Sequence, residues 1–320
     1  MDWTEFINYT GTTVIPEYVK EIAPEAYREC SDLTDVEISD GIESIEEEAF
    51  AECSKLKSIS IPASVKSIGA GAFAGCSKLE KIVVDDSNPY FKSVDNCCLT
   101  KDGTKVVFGC KAAKIPDGVI EIGDYAFWGM GGDSLELPTS VRKIGDFALA
   151  INNSRTSIEL PKSLESIGTH AFFNWNELKS IEIPASVRYI GENAFLGCVR
   201  LEDIKICEGI KVIGKGAFAD CAVKKIRIPS SINKIEEHAF YGCHIRDIYL
   251  AAATDKYEWA PTDFKISGLI FDFSRLAELN KLAGQEEKNC YNCTLHVPEG
   301  TGKEYRNHPF FRDFKEIVED

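Results

Sequence analysis

The residues of this chain that could carry chemistry are its 12 cysteines and five histidines. Six of the cysteines, Cys30, Cys53, Cys76, Cys198, Cys221 and Cys243, stand three positions after an aromatic residue in a recurring segment. Three other copies of that segment hold Met130, Asn152 and Trp175 in the same slot. A slot that accepts Met and Trp calls for a mostly apolar filler, and free Cys behaves as a small hydrophobe. The six are therefore expected to be reduced, buried thiols among apolar neighbours. Single sulfurs on successive repeats do not close a tetrahedral zinc site. Cys290-Tyr291-Asn292-Cys293 is a lone CxxC motif. As a redox pair it would need a thioredoxin-like βαβ setting, and as a zinc site a second pair. Cys97, Cys98 and Cys110 lie too far along the chain to supply one. The expected reading is a solvent-near thiol pair able to form a disulfide.

The histidines are His170, His238, His244, His296 and His308. His170 and His238 share one repeat slot, directly before Ala-Phe, where other copies have Tyr125, Phe147, Asn193 or Gly216. That variation marks a tolerated position. No zinc-protease helix motif, phosphate loop or nucleophile elbow occurs. Gly129-Met130-Gly131-Gly132 lacks the Lys-Ser/Thr of a phosphate loop and reads as a loop. Asn8-Tyr9-Thr10 and Asn152-Asn153-Ser154 match a glycosylation acceptor, which matters only in a eukaryotic secretory host. No catalytic residue, cofactor or metal is expected. The chain reads as a non-enzyme, with an enzyme of unrecognised site as the remaining alternative.

The elements behind these slots are repeats. Ala-aromatic or a close variant recurs at Ala26-Tyr27, Ala49-Phe50, Ala72-Phe73, Ala126-Phe127, Ala148-Leu149, Ala171-Phe172, Ala194-Phe195, Ala217-Phe218 and Ala239-Phe240. An apolar-x-apolar motif, often followed by Pro, keeps step with it. Its second apolar residue falls at Ile15, Ile38, Ile61, Val84, Ile115, Leu137, Leu160, Ile183, Ile206, Ile228 and Leu250. Apart from the gap from 84 to 115, the step is 22 or 23 residues. A period of this length means a solenoid, because one unit cannot bury its apolar face alone.

A single unit can be read from Ile61 to Val84. Pro62 ends a strand, having no N–H for the ladder. Val65–Ile68 is a second extended piece, Gly69 permits a left-handed turn, and Ala70–Cys76 is a short helical turn that drops Phe73 and Cys76 inward. Ile82-Val83-Val84 is the next strand, with Ile82 and Val84 facing in and Val83 out. Residues 85–114 depart from the pattern: Cys97–Thr100, a turn at Asp102-Gly103, and Lys105–Phe108 read as a β-hairpin inserted in the solenoid. After Leu250 the repeat stops. Ser274 can cap a helix over 275–283. A last unit follows at Thr294–Pro298, Gly302–Asn307 and Phe314–Val318. The expected organisation is an N-terminal cap over 1–14, with Trp3, Phe6 and Tyr9 as covering groups. Repeats over 15–250 and a C-terminal capping region over 251–320 follow.

The net charge is −15, from 51 acidic and 36 basic residues. Such a surface repels phosphate backbones and anionic lipid heads, so neither nucleic acid nor direct membrane insertion is expected. No apolar run reaches the ~18 residues of a membrane span. Met1–Phe6 has no basic or apolar leader region, which points to a cytoplasmic chain. Secretion or surface display is the alternative if a leader has been removed.

These motifs resemble the BspA-like bacterial leucine-rich repeats. The resemblance rests on the 22–23 period, on Ile-Pro-x-Ser-Val-x-x-Ile-Gly at Ile61–Gly69 and Ile183–Gly191, and on Ala-Phe-x-Gly-Cys at Ala72–Cys76, Ala194–Cys198 and Ala239–Cys243. It covers about residues 15–250. The resemblance implies a leucine-rich-repeat solenoid, a right-handed and mostly β superhelix. Stacked parallel strands would lie on one face and short helical turns on the other. It also implies non-catalytic, often surface-displayed proteins linked to adhesion and host-protein binding.

Recognition would fall on the outward strand positions. These read Glu37, Ser60 and Val83, then Glu136, Glu159, Glu182, Lys205, Arg227 and Tyr249. Stacked Glu residues repel, and a row of Arg142, Lys143, Arg188, Lys211 and Lys234 just past the Pro is placed to soften this by cross-row ion pairs. One reading is a solvated face. The other is a polarised strip, Glu136 to Tyr249, that holds a partner. The expected function is a monomeric, non-enzymatic scaffold binding a protein or other macromolecule through the curved solenoid face. The alternative is a secreted or cell-surface adhesin.

Overall fold

A computed structural model describes residues 11–131, 135–251, 291–308 and 311–320. The helix expected over 275–283, the covering groups Trp3, Phe6 and Tyr9, and Cys290 lie outside these residues. The chain forms two compact units, residues 1–155 and 156–320. Each is a stack of β-turned coils, and the protein is a β-solenoid with little helix. Among the described residues, helix is confined to Gly302–Asn307 and a 3-10 turn at Phe311–Asp313.

In the first unit the strands Gly11–Ile15, Leu33–Ile38, Ser58–Ile61 and Lys81–Val84 pair in that order, all parallel. Register pairs Ile59 with Ile82, Ser60 with Val83 and Ile61 with Val84. Period-2 alternation then sends Ile59, Ile61, Ile82 and Val84 into the core and leaves Ser60 and Val83 exposed. A second ladder of two-residue strands, Glu21–Ile22, Ser44–Ile45 and Ser67–Ile68, follows each main strand.

The third side is built differently from the helical turn the sequence suggests. Glu48 and Glu52 have φ of 54° and 61°, and the same two slots recur at φ 53° and 75° in Asn193 and Gly197. Alternating left- and right-handed residues point successive N–H groups in different directions. Those of Glu48, Phe50 and Glu52 reach the carbonyls of Ala70, Ala72 and Ala74 on the next coil. Those of Ala49 and Ala51 close local turns onto Glu46 and Glu48. A helix would align its N–H groups along its own axis, so alternate ones could not reach sideways to the neighbouring coil. The left-handed residue expected at Gly69 is instead Gly71, φ 67°. Gly69 is glycine because a Cβ there would lie 2.4 Å from the backbone N of Glu47.

The aromatic residues stack inside. In the first unit Tyr27–Phe50 and Phe50–Phe73 are 5.0 and 5.3 Å apart. In the second, Phe172–Phe195, Phe195–Phe218 and Phe218–Phe240 are 4.9, 5.2 and 5.5 Å apart. Burial of each ring contributes roughly 1.5–3 kcal/mol.

The 85–114 segment holds three antiparallel strands, Phe91–Val94, Cys97–Thr100 and Lys105–Gly109, one more than the hairpin read from the sequence. Two contacts return this excursion to the stack. Fully buried Asn88 donates to the carbonyls of Pro62 and Val65 and accepts from the N–H groups of Tyr90 and Phe91. All four of its hydrogen-bonding sites are thereby used. Phe108 stacks on Phe73 at 4.4 Å and continues the aromatic column.

In the second unit the short ladder runs Ser166–Ile167, Tyr189–Ile190, Val212–Ile213 and Lys234–Ile235. The main ladder is in two pieces: Ser180–Ile183 with Asp203–Ile206, then Lys225–Ile228, Asp247–Leu250, Tyr291–Val297 and Phe314–Glu319. The break coincides with a change in coil length. The return from Cys198 to Ile204 is one residue longer than that from Cys221 to Ile226.

The thiols are buried as expected in Cys53, Cys76, Cys198, Cys221 and Cys243, and half-buried in Cys30. Their surroundings are not wholly apolar. Cys76, Cys198, Cys221 and Cys243 donate to the carbonyls of Phe50, Phe172, Phe195 and Phe218 at 3.1–3.3 Å. In these four coils the slot holds a small group that also serves as a weak donor.

Candidate partner-binding face

The main strands expose alternate residues, so within each piece of the ladder an outward side chain has an in-register neighbour about 4.8 Å away on the next coil. In the second unit Glu182 lies opposite Lys205, Arg227 opposite Tyr249, and Tyr249 opposite His296. Glu159, Glu182, Lys205 and Arg227 are exposed and Tyr249 is half-buried. Glu136 is also exposed but belongs to the first unit.

One ion pair links two residues of the strip along the row. Lys205 Nζ donates to Glu182 Oε1 at 2.9 Å. That hydrogen bond holds the Glu182 carboxyl below its ordinary range and lifts the Lys205 ammonium above its own. The cross-row pairing expected from the basic residues past the Pro takes another form. Lys143 pairs with Glu121 at 3.3 Å, Lys234 with Glu236 at 2.9 Å, and Arg188 donates to the carbonyl of Gly209 at 2.9 Å. These three side chains find their partners on their own side of the coil. Cys207, standing where other repeats place Pro, is half-buried with Sγ 3.5 Å from Glu182 Oε1. Burial and then the Glu182 hydrogen bond push its thiol up.

Beyond Tyr249 the row continues. The Tyr249 ring stacks on the His296 imidazole at 4.1 Å and 16°. His296 Nδ1 lies 2.5 Å from Asp320 Oδ2, and Nε2 lies 3.7 Å from Asp247 Oδ1. The sequence carries a signal for this neighbour, since Leu295-His296-Val297-Pro298 repeats the apolar-x-apolar-Pro pattern and makes His296 its outward residue. Asp320 carries no such signal. Its position depends on the last strand pairing in register. Among the described residues no three His, Cys, Asp or Glu side chains are arranged to hold a metal ion. No helix among them is long and apolar enough to cross a membrane.

A family model for the BspA type leucine rich repeat region matches in six copies, over residues 8–119 and 120–246. The chain belongs to the BspA-type leucine-rich repeat family. The family generally comprises non-enzymatic repeat proteins. The protein is similar to the leucine rich cell surface protein of Faecalibacterium prausnitzii, at 28% identity and a TM-score of 0.61. That match covers 78% of this chain and 62% of the other, so the chain spans less than two thirds of that relative. The pneumococcal vaccine antigen PcpA shares the fold at 20% identity and a TM-score of 0.66, over 97% of this chain and 68% of that one. A comparison with curated proteins finds no match.

Proposed function

We propose that this BspA-type repeat protein is a non-enzymatic interaction scaffold that holds a macromolecular partner on the outward strand face of its second unit. The observation that carries the reading is the in-register row Arg227, Tyr249 and His296 on three adjoining strands, with Tyr249 stacked on His296. Tyr and Arg are the side chains that most often carry binding energy. The stack holds the Tyr249 ring in one orientation before a partner arrives, which lowers the ordering cost of association.

A photo-crosslinking residue at position 249 tests this, with one at exposed Lys215 on the turn side as control. Crosslinks to a partner are expected from 249 and not from 215. With that partner, Arg227→Glu and Tyr249→Ala should each weaken binding by ~1 kcal/mol or more. Crosslinks from 215 alone, with unchanged affinity in both variants, would put the site on the turns. A second reading, an adhesin displayed at a cell surface, is favoured by the likeness to a leucine rich cell surface protein. Fractionation of the producing cell, with the protein recovered from the surface, separates the two.

A further inference from the structure

Two adjoining strands of the second unit are locally basic, although the strands beside them carry Glu182, Asp203 and Glu316. Lys224–Ile228 and Arg246–Leu250, two strands each with its preceding residue, carry Lys224, Lys225, Arg227 and Arg246 against the single carboxylate of Asp247. The whole chain is at −15. Lys224 is partly neutralised by Glu202 at 3.5 Å and Lys225 by Asp247 at 3.8 Å. Arg227 and Arg246 are exposed, and neither has an ion-pair partner among the described residues.

Resting on the reading of this face as a partner surface, we propose that the segment it holds is an extended acidic stretch of polypeptide with Asp or Glu at alternate positions. Lys225 and Arg227 point outward from one strand, two residues and about 6.6 Å apart. Alternate side chains of an extended peptide have that same spacing, so two of its carboxylates meet two cations at once. A guanidinium, as Arg227 offers, receives a carboxylate through two parallel N–H bonds. Tyr249, in register with Arg227, closes one side of the patch and offers an amphipathic contact. The surrounding acidic surface selects for length. Attraction between exposed charges is screened out over about 8 Å at physiological ionic strength. A short acidic segment therefore sees mainly the patch, whereas a long polyanion also meets the repulsion of the rest of the chain.

The test uses the full chain and a fluorescein-labelled peptide of alternating Glu and Ser residues, read by fluorescence anisotropy. The intact protein should bind it, more weakly as salt is raised. Lys225→Glu combined with Arg227→Glu should reduce affinity about tenfold or more. Lys55→Glu, an exposed change in the first unit, should leave it unchanged. The inference is overturned if the intact protein does not bind the peptide or if the double variant binds it equally well. It is also overturned if a heparin fragment binds more tightly than the peptide, which would make the ligand a polysaccharide. Crosslinking at position 249 reports a partner whatever its charge. A non-acidic partner captured there would sink this inference and leave the scaffold reading standing.

Discussion

Cys221 carries a weak donor in a place where a small apolar group would also fit. Its thiol reaches the Phe195 carbonyl at 3.2 Å, while the backbone N–H of Cys198 reaches the same oxygen. Cys221→Ser retains a donor, and Cys221→Ala leaves that lone pair unmet. Ser should therefore be the more stable of the two by about 0.5–1.5 kcal/mol. Chemical denaturation checks this, and Ala outranking Ser would restore the apolar-filler reading. Burial also pushes the Cys53 and Cys243 thiols up to about 12. Thiolate is thus scarce at neutral pH, and thiolate is the reactive form. Native labelling should reach half-buried Cys30 and Cys207 first and leave Cys53, Cys76, Cys221 and Cys243 unmodified until unfolding. The repeating slot was legible in the residues. The carbonyl beside it was not, because it comes from the preceding coil.

The linked turns of each coil place side chains where the backbone is left-handed. A β-branched residue there is a conformational outlier. Ile151, at φ 59°, occupies the slot filled by Gly129 and Gly197 in other coils. Ile151→Gly should relieve strain of order 1 kcal/mol and raise the melting temperature. A lower melting temperature would mean that the half-exposed side chain packs more than its geometry suggests. The aromatic column behaves oppositely. Phe195→Ala should open a cavity between the rings of Phe172 and Phe218 and cost ~3–5 kcal/mol. Exposed Glu192→Ala should cost little. Equal losses in a denaturation series would contradict the assignment of the inward face. The 22–23 residue period made the stacking legible, yet it does not separate a helical turn from a chain of β-turns. Both drop one aromatic inward per repeat, and only the hydrogen-bond partners on the neighbouring coil distinguish them.

Charge is distributed unevenly over the molecule. Residues 11–52 carry 13 carboxylates against Lys20 and Arg28 alone. Glu25, Glu29 and Glu48 gather around Arg28, which they hold above its ordinary range, Glu48 contributing most. So many like charges on adjacent coils disfavour the compact state. Raising NaCl from about 0.02 to about 0.5 M shortens the screening length from roughly 20 Å to roughly 4 Å. The first unit should then unfold at a higher temperature, followed by hydrogen exchange at its strand amides. A fall would mean that surface ion pairs such as Lys66–Glu43 outweigh the repulsion.

The sequence alone determined the solenoid, its period, its inward column and the family, because each follows from periodic burial along the chain. It also made the outward row from Glu182 to Tyr249 readable, since strand alternation fixes which residue faces out. Only the tertiary structure decided how that row is joined. Lys205 lies in register with Glu182 and pairs with it, and the ladder stops before Lys225. Tyr249 meets His296 across a sequence gap of 47 residues, where the repeat itself has ended. Such contacts depend on which coil stacks on which, and no period within a single repeat contains that information.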